Sequence, residues 1–347
     1  MALDLDETMQ ISKTSSPGLK YDGNNNPINM SSTLKSLIIF ILGLFFGKHL
    51  SSSDTTDGVR GELATAVTNP PTPSAITTEP PKPPSCLDTL PSWARDAHAE
   101  TLAKAFMTGS VGLTDKSTGH NYQILYHRYL SPMVMRMLCP PQPAKKKPRF
   151  RMLEIGLGCH PSGGMVRGEP GGSTRAWRHL FPPELFDLDL HVMEYDASCA
   201  AKWEAEHPGI ATKVHSGDAS SSDDLDRVVQ DSGGDPFDMI IDDASHLNEH
   251  QIITFQHMIE HVAKDGIYIV EDIHSSCKEW KANFGTEDTG KVVQGTEGCM
   301  QTIDGKPTIF SKLIEWQKPL LTKESPFPDV TSIAIHFEAA VISKLWG

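Results

Sequence analysis

Two short segments in the second half of the chain constrain its fold most strongly. Residues 237–246 have the sequence FDMIIDDASH, and residues 266–274 have the sequence GIYIVEDIH. Each is an apolar run rich in β-branched residues that ends in two carboxylates and then a histidine, a pattern typical of buried parallel strands. The carboxyl ends of such strands form the edge where open α/β sheets bind ligands. The sequence therefore predicts two neighbouring strands that present acids to one site.

The acids that end these two segments predict a metal site. They are Asp242, Asp243, Glu271 and Asp272. Like charges in so small a volume cannot all ionise unless a cation lies among them. Carboxylate oxygens suit a hard divalent ion, so we expect Mg²⁺. The alternative is that each acid only caps a helix or lies in a solvated turn, but the repetition of the pattern with a trailing histidine favours function.

Composition excludes some partners. The chain has 347 residues and a formal net charge of −13, which disfavours nucleic acid as a partner. Its six cysteines lie far apart without a C-x-x-C pair, so the spacing predicts neither a zinc ribbon nor a dense disulfide framework. The redox compartment is left open at this point.

The N-terminal quarter predicts a membrane anchor on a tether. Residues 1–33 are polar and aperiodic, so we expect disorder. Residues 36–47, SLIIFILGLFFG, are strongly apolar and lysine-flanked, which predicts a single transmembrane segment over residues 34–50. A core helix would lack packing partners here, and no A-x-A site marks a cleaved signal peptide. Residues 51–91 are rich in Ser, Thr and Pro and predict a linker, which places the folded domain at residues 92–347.

A cofactor half is predicted before the acidic strands. The strand at residues 150–158 runs into Glu154, Gly156 and Gly158, a turn that lets the backbone approach a ligand closely. Two further strands end in Asp196, positioned to bind ribose hydroxyls, and Asp218, positioned to face an adenine edge. Because the turn lacks the complete G-x-G-x-x-G pattern, a nucleoside without phosphates, such as S-adenosylmethionine, fits better than NAD. Scaffolding alone is the alternative.

The C-terminal part completes the predicted sheet. Residues 275–329 are poor in strands and predict a lid or substrate pocket containing one helix. Residues 332–338 and 340–345 predict an antiparallel hairpin. Five parallel strands followed by such a hairpin give an α/β fold with a mostly parallel, doubly wound, Rossmann-like sheet of seven strands, the sheet typical of class I methyltransferases.

Seven short motifs together resemble a known family. They are TDK and HNY within residues 114–122, LEIG at 153–156, GGSTRAW at 171–177, DDASH at 242–246, VEDIH at 270–274 and SIAIHF at 332–337. This combination resembles the metal-dependent sugar O-methyltransferases of macrolide biosynthesis, the mycinamicin type. The resemblance covers approximately residues 113–345 and is most specific at DDASH and VEDIH.

The resemblance implies an activity and a set of site residues. It implies Mg²⁺-dependent methyl transfer from S-adenosylmethionine to a hydroxyl of a sugar or a secondary metabolite, with His246 as general base. The metal ligands would be Asp243 and one or both of Glu271 and Asp272. Ser173 and Asp242 would join the cofactor contacts. If a helix starts directly after the strand, Asp243 and His246 lie one turn apart and face the same way.

Two other function classes are compatible with the residues. Residues 246–250, HLNEH, match the H-x-x-E-H string of inverted zinc peptidases, with Glu249 as the base. A catalytically silent, membrane-tethered S-adenosylmethionine-binding module is the third possibility. The side of the membrane stays open, since basic residues are balanced across the anchor. The cytosolic origin of the methyl donor favours a cytosol-facing domain.

Overall fold

The computed structural model describes the C-terminal three quarters of the chain with some gaps. The described residues are 85–142, 146–159, 169–277, 298–300 and 305–344. The predicted disordered segment, the anchor and most of the linker lie outside these residues, as does much of the predicted lid. Among the described residues, no helix combines the length and the apolar character needed to cross a bilayer.

Seven strands form one sheet. They are β1 Arg149–Ile155, β2 Asp187–Glu194, β3 Lys213–Ser216, β4 Phe237–Asp242, β5 Val262–Val270, β6 Val330–Ile335 and β7 Ala340–Lys344. The strand order is β3-β2-β1-β4-β5-β7-β6. β1 to β5 pair in parallel, whereas β7 runs antiparallel to both β5 and β6. The prediction of a mostly parallel seven-stranded sheet that ends in an antiparallel hairpin is confirmed.

Helices cover both faces of this sheet. They are α1 Ser92–Arg95, α2 Ala99–Ser110, α3 Gln123–Leu138, α4 Gly172–Leu180, α5 Ala197–Glu206, α6 Ser222–Asp231, α7 Asn248–Met258 and α8 Ile309–Gln317. Because both faces are covered, the central strands are apolar without alternation. Met239, Ile240 and Ile241 of β4 are all fully buried. Met239 and Ile241 face one apolar cluster, and Ile240 faces a second cluster on the other side.

The fold begins before the predicted domain boundary at residue 92. A 3₁₀ turn spans Cys86–Thr89, and Leu90 is buried in the core. A disulfide joins Cys86 to Cys139, at the end of α3. The Pro-rich composition placed this short stretch in the linker, because composition alone does not show that a turn is tied to a distant helix.

All six cysteines are paired in three disulfides. These bonds join Cys86 to Cys139, Cys159 to Cys199, and Cys277 to Cys299. The expectation that the cysteines form no dense disulfide framework is therefore wrong. The partners lie 53, 40 and 22 residues apart, so no local spacing pattern reveals them. Only the packing of the elements that carry them brings the sulfur atoms together.

A buried histidine pair between β2 and β3 predicts sensitivity to acid. His191 Nδ1 lies 3.0 Å from His215 Nε2, and both rings are almost fully buried. Burial, His191 and Lys213 lower the pKa of His215 to about 4, below the usual value of roughly 6.5 in the unfolded chain. Between these values the unfolded state binds more protons than the folded state, so stability falls as the pH is lowered from 6.5 to 4.

Chemical denaturation at several pH values between 7 and 4 measures this effect. We expect a His215→Gln variant to lose less stability over the same range than the parent chain. Exposed His98, at the start of α2, provides the matched control, since His98→Gln should leave the pH dependence unchanged. Parallel curves for the parent and His215→Gln would contradict the assignment.

Candidate active site

A large cavity opens at the carboxyl ends of the parallel strands. Its volume is about 580 Å³. Its wall includes residues that directly follow β1, β3, β4 and β5, and the last residue of β2. The strand order reverses between β1 and β4, and such switch points are where open α/β sheets bind ligands.

One half of the cavity is lined by backbone. Gly156 has φ +112°, and a Cβ atom there would lie 2.1 Å from the carbonyl oxygen of Asp243. Gly158 also has a positive φ, of 84°. Ser173, in the first turn of α4, completes this part of the wall. The absence of a side chain at Gly156 therefore allows the ends of β1 and β4 to approach each other closely.

Glu154 and Asp242 do not line the cavity, although we predicted them as cofactor contacts. Glu154 is fully buried and accepts hydrogen bonds from Thr174 Oγ1 at 2.8 Å and Trp177 Nε1 at 3.2 Å. Asp242 lies near the hydroxyl of Tyr268 at 3.4 Å, and burial raises the pKa of its carboxyl to about 7. Glu154 thus bonds to side chains of α4, and Asp242 lies beside Tyr268 of β5, so the partners of both acids lie outside the cavity.

Glu194 and not Asp196 is the acid that faces the cavity after β2. Asp196 is the N-cap of α5 and accepts from the backbone N–H groups of Ser198 and Cys199. Glu194 lines the cavity and accepts from Leu157 N at 3.0 Å. The motif HVMEYD contains both acids, and the capping geometry explains why the second one turns away.

Asp218 follows β3 on the cavity wall. Its Oδ1 atom accepts from the backbone N–H of Ser220 at 2.8 Å and from the Ser220 hydroxyl at 2.7 Å. These two bonds hold the carboxylate in one orientation. The structure therefore places Asp218 beside the pocket that the glycine turn forms.

The other half of the cavity brings together Asp243, His246 and Asp272. One ligand atom from each lies within 4.8 Å of the other two. His246 Nε2 is 3.2 Å from Asp272 Oδ2 and 3.9 Å from Asp243 Oδ1. His246 and Asp272 both have left-handed backbone conformations, with φ values of 57° and 54°. Such strained residues occur preferentially at functional sites.

The turn between β4 and α7, and not a helix, brings Asp243 and His246 together. α7 begins only at Asn248, so the condition for a shared helical face, a helix that starts directly after the strand, is not met. His246 instead has a left-handed backbone conformation, and its ring lies 3.9 Å from Asp243. A spacing of three residues is compatible with either arrangement.

Lys116 is a buried cation within this acidic site. Its ammonium group lies 2.5 Å from Asp243 Oδ2 and also contacts Glu271 Oε2. Burial alone would lower its pKa, but Asp243 and Glu271 raise it well above the usual value. The hydroxyl of Tyr126 donates to the other oxygen of Glu271. Both carboxylate oxygens of Glu271 are therefore engaged by protein groups.

A second layer of polar side chains holds Asp272. The hydroxyl of Tyr122 donates to Asp272 Oδ1 at 2.7 Å. His120 Nδ1 lies 3.3 Å from the same oxygen and 2.8 Å from Glu338 Oε2. Its hydrogen bond to Asp115 is the main cause that raises the pKa of His120 to about 9. No role was predicted for these residues, although Asp115 belongs to the motif TDK, and His120 and Tyr122 belong to the motif HNY.

The zinc-peptidase alternative does not fit this geometry. Inverted H-x-x-E-H sites need both histidines on one helix with the glutamate beside the metal. His246 lies before α7, and His250 is bonded to Ser245 Oγ at 3.0 Å. Glu249 is mostly exposed and pairs with Lys306 at 3.0 Å. The would-be base therefore points away from the acidic site.

Comparisons with known proteins place the chain near sugar methyltransferases. No protein-family model matches it. Demethylmacrocin O-methyltransferase of Streptomyces fradiae is 36% identical over 156 residues, which cover 44% of this chain and 34% of that protein. Mycinamicin VI 2''-O-methyltransferase of Micromonospora griseorubida is 33% identical over 162 residues, or 45% of this chain and 34% of that protein. The matches thus span about a third of the length of these curated relatives.

Solved structures give a weaker likeness. The mycinamycin-pathway methyltransferase MycE, in complex with Mg and SAH, is 22% identical and has a TM-score of 0.49, covering 70% of this chain and 54% of that chain. The sheet itself decides the fold, through its strand order and its antiparallel last strand. The chain has the fold of class I methyltransferases, and over 44% of its length its sequence resembles a macrolide-sugar O-methyltransferase.

Proposed function

We propose that the chain is a Mg²⁺- and S-adenosylmethionine-dependent O-methyltransferase acting on a hydroxyl of a sugar or a glycosylated secondary metabolite. The observation that carries this proposal is the convergence of Asp243, His246 and Asp272 in the cavity that the Gly156 turn also lines. The sequence relatives, which are O-methyltransferases of demethylmacrocin, mycinamicin VI and L-olivosyl-oleandolide, support the same activity.

The donor set fits a hard divalent cation. Asp243 Oδ1 and Asp272 Oδ2 both face the space beside His246, and carboxylate oxygens are the ligands that Mg²⁺ prefers. Lys116 and Tyr126 engage both oxygens of Glu271, so Glu271 would become a ligand only by exchanging one of these partners. We therefore assign the metal to Asp243 and Asp272, with Glu271 as the carboxylate that positions Lys116.

His246 is the residue assigned to take the proton. Its ring lies in the cavity wall, and its Nε2 atom points to the same space as the two carboxylates. A neutral imidazole there can accept the hydroxyl proton as the oxygen forms its bond to the methyl carbon. A cation held by Asp243 and Asp272 would stabilise negative charge on the hydroxyl oxygen. A sulfonium cofactor in the glycine-lined half would supply the methyl group, and its sulfur would leave as a neutral thioether with the electron pair of the broken bond.

The glycine-lined half is assigned to the cofactor. Glu194 and Asp218 are two carboxylates on that wall, and both are held by backbone donors. Fixed acceptors of this kind suit the hydroxyl and amino donors of an adenosine group. Gly156 and Gly158 both line this half of the cavity, and their positive φ values favour glycine.

Labelled S-adenosylmethionine tests the proposal directly. The full chain, incubated with the labelled donor and an extract of glycosylated small molecules, should transfer label to an acceptor, and EDTA should abolish the transfer. Calorimetry with S-adenosylhomocysteine should show binding with or without metal. Binding without any transfer would indicate the silent binding module, and an absence of binding would refute the cofactor assignment.

We propose that residues 34–50 anchor the chain in a membrane and that its domain faces an oxidising compartment. The anchor rests on the apolar sequence of residues 36–47. The side rests on the three disulfides, since such bonds persist in the secretory pathway and are rare in the cytosol. The disulfides therefore favour the oxidising side over the cytosol-facing domain that the origin of the donor led us to expect.

Protease treatment of sealed microsomes tests the orientation. We expect the domain to resist protease until detergent opens the vesicles. Its cysteines should react with a maleimide mass tag only after reduction. Digestion in intact vesicles, or free thiols in the unreduced protein, would contradict the assigned side.

A further inference from the structure

A second group of metal-binding side chains lies outside the cavity, between α6 and α7. Asp226 is in the middle of α6, His257 is in the last turn of α7, and His261 ends the 3₁₀ turn Ile259–His261 that follows. One ligand atom from each of the three lies within 4.8 Å of the other two. The wall of the cavity contains none of the three.

The two histidines share one side of the chain. They are four residues apart, the spacing that places side chains above one another on a helix, and their ring centroids are 6.2 Å apart. His257 Nε2 lies 2.9 Å from Asp226 Oδ1. A hydrogen bond explains why His257 lies beside Asp226. It does not explain the position of His261, whose ring also lies beside His257 and whose Nε2 is 3.9 Å from its neighbour Glu260.

The three side chains all reach solvent, with exposed fractions of 53% for Asp226, 21% for His257 and 25% for His261. Asp226 is half exposed, so an ion can reach the cluster from solvent.

We propose that Asp226, His257 and His261 bind a transition-metal ion of the zinc class. Two imidazoles and one carboxylate form a three-ligand set that Zn²⁺ accepts, with a fourth position open to water. Imidazole nitrogen suits Zn²⁺, Ni²⁺ and Cu²⁺, whereas Mg²⁺ prefers oxygen ligands. The cluster therefore differs in chemistry from the acidic site in the cavity, and the inference does not depend on the proposed function.

The position of the cluster suggests a structural clamp. α6 follows β3 and α7 follows β4, and the loops at the starts of these helices carry Asp218 and His246. Thr254 of α7 already donates to the carbonyl of Ala219 at 2.8 Å. Ala219 lies in the loop before α6, so a metal ion bound by Asp226 and the two histidines would add a link from α6 itself to the end of α7. The stabilisation of the folded chain would rise with the logarithm of the free metal concentration above Kd.

Cobalt binding tests the proposal. The full chain is stripped with a chelator and titrated with Co²⁺ in excess Mg²⁺, and the visible d–d bands and competition with a chromophoric chelator are recorded. We expect one Co²⁺ component and a rise in Tm. His257→Gln and His261→Gln should each lower the Co²⁺ affinity of this component more than about tenfold. Even the loss of a residue that only supports a metal ligand lowers metal affinity by about 10–100-fold.

Two control variants assign the signal to this cluster. His98→Gln removes an exposed histidine outside the cluster and should leave the component unchanged. His246→Gln alters the site in the cavity and should also leave it unchanged. The proposal is overturned if no component appears, if it survives in His257→Gln and His261→Gln, or if His246→Gln removes it. If a histidine variant fails to fold, Asp226→Asn is titrated in its place, because Asp226 is half exposed and its substitution disturbs the core least.

Discussion

Replacing Lys116 with methionine is expected to destabilise the fold by about 3–5 kcal/mol, the usual cost of removing one partner from a buried ion pair. The ammonium group is 2% exposed and contacts Asp243 and Glu271. Without the ammonium group, the two buried carboxylates would lose the positive charge that compensates them, and burying uncompensated charge costs free energy. Guanidinium denaturation of the chelator-treated chain measures the change.

A second ion pair provides the matched control. Lys306 pairs with Glu249 on the surface at 3.0 Å, with both side chains more than half exposed. Exposed pairs contribute less than about 1 kcal/mol, so Lys306→Met should be almost neutral. The double variant Lys116→Met/Glu271→Gln should recover part of the loss, because it restores the charge balance. Equal losses for Lys116→Met and Lys306→Met would show that Lys116 does not neutralise the site.

His246→Ala is expected to lower turnover by about 10²–10⁴-fold, the usual contribution of a general base. Cofactor and metal binding should persist, since the carboxylates that we assign to the metal remain. Asp243→Asn should instead abolish activity and weaken metal binding, because it removes a charged ligand and a partner of Lys116. Steady-state kinetics measures the loss of turnover in each variant. Electron paramagnetic resonance of bound Mn²⁺ shows whether metal binding is lost as well.

Glu249→Gln is the control for this pair of variants. Glu249 is exposed and lies outside the cavity wall, so its replacement should change the rate little. A zinc-peptidase mechanism would lose its base with the same change. A His246→Ala protein with normal turnover, or an enzyme indifferent to EDTA, would remove the proposed metal-and-base mechanism.

The strands and the sheet edge that carries the cavity could be predicted from the sequence, because the patterns that mark them involve only neighbouring residues. β4 and β5 are continuous apolar runs that end in acids, and that pattern is sufficient to predict buried parallel strands. The final hairpin was predicted for the same reason, from two alternating runs beside a short turn. These elements and their order determine the seven-stranded sheet and the edge at which the cavity opens.

The direction of each side chain at that edge was not readable from the sequence. Glu194 faces the cavity and Asp196 caps a helix, although both acids end the same strand motif. The strand ends at Glu194, and Asp196, two residues later, is already the N-cap of α5. Pattern reasoning places strand ends only within a few residues, so it cannot choose between neighbouring acids.

By itself, the sequence determined the sheet, the edge that carries the site and the chemical types gathered there, because periodicity and strand-end residues are local properties. Only the tertiary structure decided what neutralises the acids and which cysteines pair. Lys116 lies 127 residues from Asp243 and 155 from Glu271, and the disulfide partners are 22 to 53 residues apart. Contacts at such separations depend on how the helices pack on the sheet, and no local pattern in the chain records that packing.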